Sequence, residues 1–226
     1  MATPYATQCP VQYPNKARPH HRFVAVEEAP LFPISICIVR CRRAKECVDI
    51  CRALTARDCA TYESLLAGAL NSLAWHLAQI PGRKPEALTP AEESVNISRR
   101  LALEDPKSFS NDLAASLDTI AYSLNHCGRY GDALPPALEG LEFYRKATEG
   151  EAYEISDRQS SSLHKTYAES LVGLGRDDEA SVSLKSAIII YERLMSAEPE
   201  DASYSLDLEK CLQLLERLSG GSTTSK

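Results

Sequence analysis

No stretch of this 226-residue sequence stays apolar for the roughly 20 residues that a membrane-spanning helix needs. The best candidate, ISICIV at 34–39, stops at Arg40 and follows Glu27 and Glu28 rather than a basic leader, so it reads neither as a span nor as a secretory signal. Basic charge is not in excess either. A net charge of -6 and a pI near 5.5 argue against nucleic acid or an anionic membrane as the main partner. Strand signals are missing, since no run alternates Val, Ile and Thr at a period of two. So are the common catalytic signatures: no H-E-x-x-H, no Gly-rich loop after a strand, no G-x-S-x-G. These absences leave a cytoplasmic, helical protein with no enzymatic activity, no catalytic residue, no cofactor and no metal ligand to expect.

What the sequence does hold is a repeat. GRYGDALPPALEGLEFYRK at 128–146 has echoes in GRKPEALTPAEESVNISRR at 82–100 and GRDDEASVSLKSAIIIYER at 175–193, at steps of 46 and 47 residues. Before each Gly-Arg lies a helical pattern of large, large, small and large residues. It is carried by Leu70, Leu73, Ala74 and Leu77, then Leu117, Ile120, Ala121 and Leu124, then His164, Tyr167, Ala168 and Leu171. After it comes a second amphipathic run with Ala87 and Ala91, Ala133 and Ala137, Ala180 and Leu184. One unit is therefore a shorter and a longer antiparallel helix joined at Gly82, Gly128 or Gly175, where a left-handed residue ends the first helix at no steric cost. The alanine pairs 74/87, 121/133 and 168/180 let the two helices approach closely.

The pattern Leu117-x2-Ile120-Ala121-x2-Leu124, then Gly128, Ala133, Ala137 and Gly140, resembles the tetratricopeptide repeat, over residues from about 44 to 218. The step of 46 or 47 exceeds that family's usual 34, which is similar to its long-repeat, kinesin-light-chain-like variants. The resemblance implies an all-α, right-handed solenoid of antiparallel helix pairs. The expected organisation is a disordered Pro-rich segment at 1–33, a repeat domain at 34–218 and a disordered tail at 219–226. Within the domain stand a half repeat at 40–60, repeats at 61–111, 112–158 and 159–206, and a capping helix at 207–218. AKECVDICRAL at 44–54 matches AEESVNISRRL at 91–101, so the chain enters on a second helix. That helix exposes Val48, Ile50 and Leu54 unless 34–39 fold back over it, and self-association through this N-terminal edge is expected. At the other end Glu216 takes the position of Ala121, as a helix with no successor allows.

Eight cysteines raise the question of a metal or disulfide framework. The repeat register sets Cys47 on Ser94, Cys51 on Ser98 and Cys211 on Ser116, which are small-residue positions that a buried, reduced thiol fills. His76, His126 and His164 fall at different points of their repeats and do not converge by symmetry. Cys127 beside His126 makes no nucleophile pair, because neighbours on a helix point about 100° apart.

The resemblance further implies a groove lined by the first helices. Carried over, its positions are Asn71, Trp75 and Ala78, then Asp118, Tyr122 and Asn125, then Lys165, Glu169 and Val172. Trp75 and Tyr122 either anchor a ligand there or pack against the neighbouring repeat. Asn71 and Lys165 suit an acidic peptide terminus, whereas Asp118 and Glu169 repel one, so a neutral or basic protein or peptide segment is the expected partner. The implied function is a non-catalytic protein-interaction scaffold. The alternatives are a sensor segment of a larger NTPase signalling protein or the accessory subunit of an enzyme complex.

Overall fold

The computed structural model describes residues 34–150 and 155–221. The expectations placed on 1–33 and on 222–226 lie outside the described residues. Eight α-helices follow one another there, with no strand: α1 Ile34–Thr55, α2 Cys59–Ala78, α3 Leu88–Glu104, α4 Pro106–His126, α5 Tyr130–Thr148, α6 Asp157–Gly173, α7 Asp177–Ala197 and α8 Ala202–Gly221. A 3-10 turn, Lys84–Ala87, leads into α3. Each helix packs on the next, and α2 also touches α4 as α4 touches α6, so the fold is an all-α solenoid with its first helices side by side.

Local chemistry starts and stops these helices at repeating places. Asp58, Asp105 and Ser156 cap α2, α4 and α6, each accepting a hydrogen bond at 3.2–3.3 Å from the backbone N–H three residues on. At the far end, Gly128 and Gly175 both take φ 72°, and Gly82 takes φ 79°. The backbone N–H of Arg129 reaches back to Leu124 O and that of Gly128 to Asn125 O; Arg176 and Gly175 repeat this on Leu171 and Val172, all at 2.9–3.0 Å. A side chain in that left-handed conformation would meet its own carbonyl, which explains the glycine of the thrice-written Gly-Arg. The arginine has its own reason. Arg83 clamps Glu86, Arg129 pairs with Asp132 and Arg176 clamps Glu179, each three residues on, at 2.6–2.7 Å.

The alanine pairs sit where helices come closest: Ala74, Ala87, Ala121, Ala133, Ala168 and Ala180 are all fully buried. Gly140 serves the next seam, since a Cβ there would stand 2.8 Å from both methyls of Leu163 on α6.

Three sequence expectations change. The first helix is the shorter one only in the third unit. α2 and α4 run 20 and 21 residues and α6 runs 17, against 17, 19 and 21 for α3, α5 and α7, so the residues beyond a 34-residue unit are spread over both helices. Residues 34–39 do not fold back but extend α1 by nearly two turns, and the stripe Cys37, Cys41, Ala44, Val48 and Cys51 is buried while Ile50 is exposed. Val48 packs against Leu66 and Leu70 of α2, a contact that the unpaired-helix expectation left out. The closing helix is longer than 207–218, since 202–206 and 219–221 are also helical.

Candidate functional site

Three first helices and the closing helix bound a cavity of about 300 Å³. α2 lends Asn71, Trp75 and His76, α4 lends Asp118 and Thr119, α6 lends Arg158, Gln159, Ser162 and Lys165, and α8 lends Tyr204 and Asp207. The repeat spacing brings these together, because Trp75, Asp118 and Lys165 each stand within one turn of the small residue of their own helix. Trp75 is half-buried and stacks on Tyr122 with ring centroids 4.7 Å apart, and Tyr122 meets His126 edge-on at 4.1 Å.

The polar floor of the cavity is wired between repeats. Asp118 accepts from Thr166 Oγ1 at 2.6 Å, Ser162 Oγ at 2.6 Å and Gln159 Nε2 at 3.3 Å, all on α6. Burial raises its pKa above the usual carboxylate value, while the hydroxyls of Ser162 and Thr166 and the charge of Lys165 oppose the rise. Asn125 spans the same seam, donating to Thr166 O and accepting from Ser170 Oγ, both at 2.9 Å. Lys165 is buried and its ammonium lies 2.7 Å from Asp207 on α8. Burial works against its charge, yet Tyr191, Asp207 and Glu169 together hold its pKa well above the usual lysine range.

This geometry revises the residue assignments. Asn71, Trp75, Asp118 and Lys165 line one cavity. Asp118, Asn125 and Lys165 are nonetheless buried, and their hydrogen-bonding capacity goes largely to neighbouring helices. Ala78 is buried in the cluster of Leu77 and Ile80, and Val172 in that of Leu171 and Tyr191. Tyr122 packs partly on the same cluster as Ala78, so it bridges core and cavity. Glu169 is half-buried and stands outside the cavity lining. Sequence reasoning passed over Arg158, whose guanidinium lies 5.4 Å from the Tyr204 ring centroid, and over Gln159, Tyr204 and Asp207. Only the alignment of α8 with α4, which puts Asp207 on Asp112, hinted that the closing helix would reach the same face.

The cysteines and histidines divide by burial. Cys37, Cys41, Cys51 and Cys211 are buried, and burial pushes the Cys211 thiol up to about 12. Cys47, expected at a small buried position, is exposed because no described helix covers the face on which Ser94 meets α2, and Cys59 is exposed as well. Burial also raises the pKa of Cys127, against the attraction of Arg129 and Lys84, the reverse of what an activated nucleophile needs. His164 Nδ1 lies 3.1 Å from Ser183 Oγ, and burial takes its pKa down to about 4. Among the described residues no group of three or more His, Cys, Asp or Glu is placed to hold a metal ion, and no helix is long and apolar enough to cross a membrane.

The helix pair at the centre of this site has a counterpart among known families. Residues 113–149, which make up most of α4 and all of α5, match the family model of the tetratricopeptide repeat. Residues 113–149 form a tetratricopeptide repeat. Repeats of this kind are generally protein–protein interaction modules. The matched pair contributes Asp118 and Thr119 to the cavity, and Tyr122 stacks on the Trp75 ring from outside the lining. No curated protein matches the chain.

Proposed function

We propose that this tetratricopeptide-repeat chain is a non-catalytic scaffold that takes a short segment of a partner protein along the face of α2, α4, α6 and α8, with one partner side chain entering the cavity beside Trp75. The observation that carries this reading is the cavity itself. At about 300 Å³ it has room for one large side chain and combines an aromatic wall with polar groups. Asn71 supplies a buried Oδ1 with no hydrogen-bond partner among the described residues, an acceptor suited to a partner backbone N–H. The two cations at the cavity are already matched, Lys165 by Asp207 and Arg158 by Asp201 at 3.5 Å. With Glu169 near Lys165 and a net charge of -6, an acidic segment gains little there, and a neutral or basic one is preferred.

Trp75 is the sole tryptophan, so its fluorescence reports on this cavity alone. Peptide-library binding followed by fluorescence titration tests the reading. Neutral or basic peptides should shift the Trp75 emission, and Trp75→Ala should weaken them by about 2 kcal/mol or more. Selection of acidic peptides that bind Trp75→Ala as well as wild type would place the interaction on another surface.

A further inference from the structure

The two ends of the array are the two halves of one repeat. α1 aligns with the second helix α3 at a shift of 47, and α8 aligns with the first helix α4, DLEKCLQLLERL on DLAASLDTIAYS. α3 and the 3-10 turn before it bury three positions towards their own first helix: Ala87, the last residue of the turn, beside Leu77, Ser94, whose Oγ donates to Ala67 O at 2.9 Å, and Ile97 beside Leu66 and Leu70. The same positions of α1 are Arg40, Cys47 and Ile50, and all three are exposed, Ile50 by 60% against 8% for Ile97. α4 buries Leu117 and Ala121, the latter beside Ala133 and Ala137 of α5. The same positions of α8 are Leu212, 47% exposed, and Glu216, also exposed. One end presents the docking face of a second helix and the other end that of a first helix.

We propose that a second copy of this chain pairs with both exposed end faces of the described array, with α8 of one copy docking on α1 of the next to form a repeat across the junction. The register chooses the pairs. Ile97 lies beside Leu70, whose counterpart on α8 is Leu212, so Ile50 of one copy meets Leu212 of its neighbour. The close-approach pair, alanine on alanine inside the chain, becomes Glu216 against Arg40. Two charged side chains set the junction wider than an internal repeat and fill the space with an ion pair of opposite signs. Charge also selects the polarity. An α1-to-α1 contact would bring Arg40 against its like, and an α8-to-α8 contact would do the same for Glu216, so head-to-tail is the matched arrangement. Such a contact is heterologous, and it leaves a free face at each end for further copies.

Sedimentation velocity on the full chain, from micromolar to several hundred micromolar, tests this. Wild type should grow in mass with concentration, and added salt should reduce the growth. Ile50→Asp and Leu212→Asp alter exposed residues and should keep the native helix content and melting temperature. Each alone should be monomeric, and an equimolar mixture should give a heterodimer and nothing longer, because only one good junction remains. Arg40→Glu or Glu216→Arg alone should raise the half-association concentration by about tenfold or more, and the two combined in one chain should restore it. The proposal is overturned by a constant monomer mass for wild type, by association that survives either aspartate variant, by a mixture that stays monomeric, or by a charge swap that fails to rescue.

Discussion

Thr166 Oγ1 donates a 2.6 Å hydrogen bond to Asp118 Oδ1, joining α6 to α4 across the seam between repeats. The carboxylate is buried, and Ser162 and Gln159 complete its shell. Replacing Asp118 with Ala strands three donors and should cost about 1–3 kcal/mol in denaturant melts. Asp118→Asn keeps one acceptor and should cost less. Equal losses for the two variants would mean that volume, and not hydrogen bonding, holds the seam.

Asp118 also predicts a pH dependence. Its folded-state pKa lies above the ordinary value of 3.8, so the native state keeps a proton that the unfolded chain has already released. Its contribution to stability is therefore present below about pH 3.8 and lost as pH rises through the folded value. Asp118→Asn should remove that loss, and its stability relative to wild type should improve from acid to neutral pH.

His164 acts with the opposite sign. Its pKa falls to about 4 on folding from an ordinary value of 6.5, so the unfolded chain takes up a proton that the native state refuses. Stability present above pH 6.5 is lost as pH falls towards 4, by at most about 3 kcal/mol. The imidazole resonances of His164 in nuclear magnetic resonance spectra should not titrate near 6.5, and a midpoint there would contradict its burial.

The ion pair of Lys165 with Asp207 fastens the closing helix to α6 at 2.7 Å. Asp207→Ala leaves a buried ammonium with less compensation and should cost about 3 kcal/mol. Lys165→Met combined with Asp207→Leu should recover most of that loss. Thermal melts of the two variants decide between an ion pair that stabilises and one that mainly sets register.

Ala121 and Glu216 hold the same repeat position with opposite burial. Ala121→Phe should overpack the contact with Ala133 and cost on the order of 1–3 kcal/mol, whereas Glu216→Phe should be nearly neutral. Similar losses in thermal melts would break the register on which the solenoid rests.

The fold was legible where a single residue has a single steric reason to be there. Gly128 and Gly175 mark left-handed helix ends, and the paired alanines mark close approach, so turns and register could be read directly. Helix lengths could not, because extra turns packed against neighbours look alike in either helix of a pair. The cavity was half legible. The family resemblance placed Asn71, Trp75, Asp118 and Lys165 on one face, but the partners of Asp118 and Lys165 lie 41 to 48 residues away on other helices. A charged residue satisfied at such a distance looks, in the sequence, like one offered to a ligand. Arg158 and Tyr204 escaped notice because their pairing joins the first turn of α6 to that of α8.

The central claim is that a partner segment lies on the first helices with a side chain in the cavity beside Trp75. Amide and indole chemical-shift mapping with a library-selected peptide measures this most directly, since the single indole N–H gives one signal. The account predicts that this signal moves together with the amides of Asn71, Thr119 and Ser162. Shifts confined to α3, α5 and α7, with the Trp75 indole unmoved, would contradict it.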